Sequence, residues 1–232
     1  MSLQLSGWAE HLAMEIKPIA YIHTDFKEKF GIPRQSGRVK ELMGKIVFEP
    51  EYKSPDSVRG LSEFSHIWLI FGFSEAEYKK GTVTVRPPRL GGNTRVGVFA
   101  SRSPYRPNSI GLSCVKIENI SHGEIVVSGV DLLDKTPIYD IKPYIPYSDS
   151  IPDAKGSFAE SNKAHTLSVR IPDEILKILP ADKQKVVFSC LSEDPRPSYQ
   201  SDGRTYSMAF GEFDIHFEVC DETLTVTSID KK

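Results

Sequence analysis

Residues 110–133 read IGLSCVKIENISHGEIVVSGVDLL. Two β-rich runs, 110–120 and 124–133, flank His122-Gly123, and this pattern predicts a hairpin with that dipeptide in the turn. Downstream, residues 136–144 (TPIYDIKPY) predict a further strand. Upstream, 66–73 (HIWLIFGF) is an unbroken apolar run bounded by polar residues, the pattern of a strand buried on both faces. Residues 44–50 and 16–24 predict two more strands. Residues 82–85 and 95–100 predict short strands on either side of Pro and Gly turns. Between these, 26–38 is broken by Gly31, Pro33 and Gly37 and predicts a loop, and 52–64 predicts irregular or briefly helical chain. Short strands at this spacing, separated by turn signals, predict a mainly β chain built on a closed or nearly closed antiparallel barrel.

The ends read differently. Residues 6–14 predict a short helix capped by Ser6, or a loose leader. After Tyr144 the composition shifts to Pro, Ser, Asp and Ala, which marks 145–163 as a linker. Residues 164–171 then predict a strand. Helical patterns follow Pro172 and Pro180, with Asp173 and Glu174 suited to a first turn. DPRPSY (194–199) predicts a rigid loop, and 207–227 a strand pair turning near Asp221-Glu222. The organisation is thus an N-terminal extension (1–15), a barrel (16–145), a linker (146–163) and a small C-terminal α+β domain (164–232), with no internal repeat.

Charge is not spread evenly. The 232-residue chain carries 29 basic and 31 acidic residues, yet no acid lies between Glu77 and Glu118. Lys79, Lys80, Arg86, Arg89, Arg95, Arg102, Arg106 and Lys116 all fall in that span, so the remainder of the chain is acidic. Within it, VRPPRLGGNTRVGVFASRSPYRPNSIGLS (85–113) is punctuated by Pro-Pro, Gly-Gly, Ser-Pro and Arg-Pro-Asn, which fixes much of it as turn. Arginines in preset loops suit phosphate or carboxylate; the plainer reading is a solvated basic face.

Other classes are excluded. No apolar run approaches the roughly 20 residues of a membrane span, and the N-terminus lacks the basic start and apolar core of a secretory signal. Cys114, Cys190 and Cys220 are odd in number and widely spaced. They favour a reducing, cytoplasmic setting over a disulfide frame or zinc cluster. The six histidines show no close metal-ligand spacing, so no metal is expected. Neither GxGxxG nor GxxxxGK[ST] nor GxSxG occurs. What remains are polar, Pro-fixed loops: GIPRQSG (31–37), RPPRLGGN (86–93), RSPYRPNSIGLS (102–113), DLLDKTPIYDIKPY (131–144) and DPRPSY. Asp140 and Lys142 read more readily as a buried ion pair than as ligand contacts.

Taken in order, KEKFGIPRQSG, VRGLSEFSHIWLIF, the 85–113 segment, DLLDKTPIYDIKPYIPYSDSIPDA, and DPRPSY followed by YSMAFGEFDIHFEV resemble the bacterial tRNA methyltransferase O family. The likeness runs from about residue 16 to 226, in motifs far longer than any short pattern. The resemblance implies a single-sheeted β-barrel that binds S-adenosylmethionine without a Rossmann fold. It also implies a homodimer, and methylation of N6 of threonylcarbamoyl-adenosine beside the anticodon of threonine tRNA. Carried over by motif, the cofactor side comprises Pro33, Arg34 and Gln35, Ser74 and Glu75, Arg102, Leu112, and Asp131, Leu132, Leu133 and Asp134. The match at Ser74-Glu75 is positional only. The tRNA side comprises Asp194, Arg196 and Tyr199, with Arg86 and Arg89 expected on phosphates. Two departures stand out: Asp-Lys-Thr-Pro where the family has Asp-Gly-Thr-Pro, and Arg-Pro-Asn-Ser where it has Arg-Pro-Asn-Pro. No general base is named by the pattern.

Two rival readings differ in class. A non-catalytic RNA-binding barrel would show similar strands and positive loops, but would call for stacking aromatics, and Tyr105 and Tyr199 are the only aromatics in these motifs outside the predicted strands. A small-molecule enzyme would use the same pocket without RNA.

Overall fold

The structure is a computed structural model, and it describes residues 15–87, 94–161, 166–196 and 203–232. Six antiparallel strands close into a barrel: β1 (Ala20–His23), β2 (Met43–Phe48), β3 (His66–Gly72), β6 (Ile110–Ser121), β7 (Glu124–Ser128) and β8 (Thr136–Pro143). Round the barrel the order is β1-β2-β7-β6-β3-β8, and β8 returns to β1 with Ala20 opposite Ile138. Closure leaves no sheet edge in need of a partner. Alternation supplies the core. Ala20, Ile22, Ile46, Ile67, Leu69, Val115, Ile125, Val127 and Ile138 are buried because each points inward from a strand of period two. The hairpin turn falls where expected. Ser121 pairs with Glu124, and His122 and Gly123 take φ of 47° and 78°, the left-handed pair that matches strand twist.

Three expectations for the barrel are corrected. β3 is not buried on both faces, for its residues alternate between buried and half-buried. Trp68 and Ile70 face outward, where Trp68 packs on Tyr144 and donates through Nε1 to Asp149 at 2.9 Å. β7 ends at Ser128, not 133, because the chain leaves the sheet at Gly129, whose N–H donates to Leu42. The Asp140–Lys142 pair forms at 2.7 Å, but its side chains are 45% and 62% exposed, so it is a surface pair. The acid-free span contributes a separate two-stranded ribbon, β4 (Thr84–Val85) and β5 (Val96–Gly97).

The C-terminal part is a four-stranded sheet of order β10-β11-β12-β9. Its strands are β9 (Ser168–Arg170), β10 (Thr205–Phe210), β11 (Phe213–Cys220) and β12 (Thr223–Lys231), and β9 runs parallel to β12. The expected strand pair is therefore three strands, with an additional turn at Gly211-Glu212. Helical turns α1 (Pro146–Asp149) and α2 (Phe158–Ser161) follow the barrel, and α3 (Asp173–Leu176) and α4 (Ala181–Ser192) lie against this sheet. α4 buries Val186, Val187, Cys190 and Leu191, the spacing of one helical face. One apolar core runs through both sheets. The join is the 24–38 segment: Phe26 meets Phe210 edge to face at 5.3 Å, Phe30 stacks on Tyr206, and Asp25 takes Lys183 at 2.6 Å.

Candidate functional site

The GIPRQSGR loop (31–38) has no regular secondary structure, yet it is fixed at several points. Gly31 has φ 92°, and a Cβ there would stand 2.3 Å from the Met208 sulfur, so both conformation and space demand glycine. Pro33 is buried. Gly37 N–H donates to the Gly129 carbonyl at 2.8 Å. The loop is thereby held between the barrel and the C-terminal sheet.

One side of the loop faces the barrel. Gln35 Oε1 accepts from Arg102 Nη1 at 2.6 Å. The Ser36 N–H donates to Asp131, and Ser113 Oγ donates to Asp131 Oδ1 at 2.6 Å. Burial dominates at Asp131 and pushes its carboxyl from 3.8 up to about 6. Ser113, the Asp131 and Ser36 N–H groups and the Arg102 charge all pull the other way; desolvation wins because the carboxylate loses more hydration than these donors return. Gln35, Ser36, Arg102, Ser113 and Asp131 thus form one connected set. Leu112 precedes Ser113 in β6 and is 51% exposed. Leu132, Leu133 and Asp134 brace the turn behind Asp131. The Leu132 carbonyl accepts from Thr24 Oγ1, the Leu133 carbonyl from Thr136 Oγ1, and Asp134 Oδ1 lies 3.2 Å from His23 Nδ1.

The other side of the loop faces the C-terminal part. Arg34, expected with Gln35 on the cofactor side, donates through Nη2 to the carbonyls of Asp194 at 3.4 Å and Arg196 at 2.7 Å. Arg38 and Glu193 form a two-pronged ion pair, Nε to Oε2 at 2.7 Å and Nη2 to Oε1 at 2.9 Å. Asp194 and Arg196 are buried and face each other, Nε to Oδ1 at 2.9 Å and Nη2 to Oδ2 at 3.2 Å. Asp194 takes φ 51°, and its carboxylate also accepts from the Arg196 N–H.

Ser74 and Glu75 stand apart. Glu75 binds Lys29, 2.6 Å through its carbonyl and 3.3 Å through its carboxylate; among the described residues no hydrogen bond links the two to Arg102 or Asp131. Arg95 donates to Thr84 and Arg106 to the Ser101 carbonyl, so Arg95 braces the ribbon and Arg106 the loop that follows it. Arg86 is exposed. Arg89 and Tyr199 lie outside the described residues. A cleft of 650 Å³ lined by Ile171, Leu176, Phe188 and Thr225 holds none of the expected site residues.

Sequence reading did not single out Ser36, Ser113, Arg38 or Glu193. Ser113 had a signal, a hydroxyl at an inward position of a barrel strand. Arg38 and Glu193 had none, being 155 residues apart. Among the described residues no group of three or more His, Cys, Asp or Glu could hold a metal, and no helix is long and apolar enough to cross a membrane. A guanidinium, a buried carboxylate and an exposed leucine make a donor set for a ligand bearing carboxylate, amine or hydroxyl, and apolar groups. S-adenosylmethionine fits that set, and its positive charge would favour an ionised Asp131.

Two protein-family models match this chain: the tRNA-methyltransferase O N-terminal domain over residues 21–150 and the TrmO C-terminal domain over residues 164–232. A tRNA (adenine(37)-N6)-methyltransferase of Escherichia coli (strain K12) is 39% identical over 95% of this chain and 99% of its own length. A candidate S-adenosylmethionine-dependent methyltransferase of Pseudomonas aeruginosa, RcsF, is 38% identical over 87% of this chain and 91% of its own. A crystal structure of TrmO from Pseudomonas aeruginosa superposes with a TM-score of 0.80, at 30% identity, over 95% of this chain and 98% of that one.

Proposed function

Because this chain belongs to the tRNA-methyltransferase O family, we propose that it is an S-adenosylmethionine-dependent tRNA methyltransferase that modifies N6 of adenine 37. Its substrate in finer terms is threonylcarbamoyl-adenosine beside the anticodon of threonine tRNA. We place the barrel at 16–145 and the C-terminal α+β domain at 164–232, joined by 146–163 and preceded by the 1–15 extension. The protein acts as a homodimer in the cytoplasm. The observation that carries the reading is the connected set Gln35, Ser36, Arg102, Ser113 and Asp131, built from segments that carry the family likeness.

When bound, the cofactor supplies an electrophilic methyl group on a sulfonium. The residues of the chain do the rest. Arg102 holds a carboxylate, steadied by Gln35. Asp131, oriented by Ser113 and Ser36, accepts from an amine or hydroxyl and faces positive charge. Leu112 offers apolar surface. The 194–196 loop, shaped by the Asp194–Arg196 pair, sets the position of the nucleoside. Arg86 and Arg89 attract phosphate, which the net charge of −2 would not. Alignment of N6 with the methyl group supplies most of the acceleration, since a positioned pair reacts as one molecule. The N6 proton leaves to water.

The test is methylation of tRNA by the purified chain with labelled S-adenosylmethionine, read by mass spectrometry of the nucleosides. Two tRNA pools, with and without the threonylcarbamoyl group, resolve the finer claim. Methyl-threonylcarbamoyl-adenosine from the first pool only is expected. Equal methylation of both pools removes the finer claim, and no methylation in either, with tRNA still bound, favours the non-catalytic RNA-binding barrel. Small-angle scattering should return about twice 26.0 kDa.

A further inference from the structure

We propose that Arg38 and Glu193 are positioning residues for methyl transfer, holding the 194–196 loop in register with the cofactor side of the 31–38 loop. The inference rests on the reading of the chain as a tRNA methyltransferase.

The argument begins with placement. Arg38 lies two residues after Ser36, which binds Asp131, and three after Gln35, which binds Arg102. Glu193 caps the C-terminal end of α4 and immediately precedes Asp194. The pair therefore spans the short path between the two halves of the site, while the chain between them is 155 residues long. Its geometry is a fork on a fork, with both contacts below 3 Å. A guanidinium so engaged fixes direction as well as distance, which a lysine would not do. The side chains are only 25% and 12% exposed, so solvent screens the pair weakly.

Adhesion between the two parts of the molecule comes from elsewhere. Phe26 against Phe210, Phe30 against Tyr206 and Phe217, and Gly31 against Met208 supply the apolar contact. Arg34 also holds the same loop, through the carbonyls of Asp194 and Arg196. Loss of the Arg38–Glu193 fork leaves the apolar contact in place and releases the angle at which the 194–196 loop is presented. Methyl transfer is sensitive to that angle, since a displacement near 1 Å costs about a hundredfold in rate.

The test uses the full chain with Arg38→Gln, Glu193→Gln and the exchange Arg38→Glu with Glu193→Arg. Melting temperature, S-adenosylmethionine affinity, tRNA affinity and the single-turnover rate at saturating cofactor and tRNA are measured on each. Both single variants should bind cofactor and tRNA nearly as the parent does and lose about ten- to hundredfold in rate. The exchange should regain most of that rate. Single variants at full rate overturn the proposal, as does a rate loss that tracks lost cofactor affinity. A folded exchange variant that stays slow overturns it too. If a single variant does not fold, the other and the exchange carry the same outcomes. A parent chain that does not methylate tRNA at all removes the functional reading and this inference with it. An active parent with fully active variants removes the inference alone.

Discussion

Asp131→Asn tests the electrostatics of the site on two readouts at once. The Asp131 carboxyl is pushed from 3.8 up to about 6, chiefly by burial. At about 1.4 kcal/mol per pH unit, that gap corresponds to about 3 kcal/mol favouring the neutral acid in the folded chain. The folded value is raised, so this contribution is fully present below pH 3.8 and is lost as pH rises through about 6. Asparagine keeps an acceptor oxygen for the Ser113 hydroxyl and carries no charge at any pH. The variant should therefore melt higher than the parent at pH 7.5, by at most about 6–12 °C for a chain of this size, and with little difference at pH 4. Cofactor binding should move the opposite way. If the ionised carboxylate is the form that receives a cationic ligand, parent affinity falls by up to about tenfold per pH unit below about 6. The variant should bind weakly and without that slope. Scanning calorimetry from pH 4 to 8 and titration calorimetry from pH 5 to 8 measure the two effects. A parent–variant melting difference that is the same at pH 4 and pH 7.5, or an affinity slope that survives the substitution, would refute the reasoning.

Three further outcomes follow from the geometry. Arg102→Ala removes an exposed guanidinium, so its melting temperature should hold while the S-adenosylmethionine dissociation constant rises about ten- to hundredfold; unchanged affinity in calorimetry would remove Arg102 from the cofactor side. Arg196→Ala removes the guanidinium that faces the buried Asp194 carboxylate, so urea unfolding should show a loss of about 3–5 kcal/mol. Asp194→Asn with Arg196→Gln should lose less, and equal losses would show that the pair is not the cause. Gly31→Ala meets Met208 at 2.3 Å and adds a side chain at φ 92°, which together cost about 2–5 kcal/mol. Met208→Ala in the Gly31→Ala background should recover the packing part only, and no recovery would show that the backbone alone resists.

Strand content was legible because it is local. The β-rich runs at 44–50 and 110–120, the Pro and Gly punctuation between strands, and the His122-Gly123 turn act over a few residues. They do not depend on what lies across the molecule. Where local pattern misled, packing was the reason. The 66–73 run looked buried on both faces because Trp68 and Ile70 are apolar, but the barrel has only one inside, and Tyr144 and Asp149 engage Trp68 from without. The third C-terminal strand was missed because Gly211-Glu212 sits inside a run of strong β formers, where one glycine gave a weak turn signal.

The site divides in the same way. The sequence by itself determined that Arg102, Gln35 and Asp131 belong to Pro- and Gly-fixed loops of one long family pattern, and that positive charge collects where the acids are absent. It also pointed to a closed or nearly closed antiparallel barrel, because short strands with turn signals between them suit that closure. Only the tertiary structure decided which way each arginine turns. Arg34 and Gln35 are neighbours in sequence, yet one binds carbonyls of the C-terminal loop and the other binds Arg102. The partner of Arg38 was equally beyond reach, since a charge pairs with whatever chain closure brings within about 3 Å, and that closure joins residues 155 apart. The upward push on Asp131 has the same origin. A carboxylate in isolation is hydrated, and only the assembled barrel strips that water away.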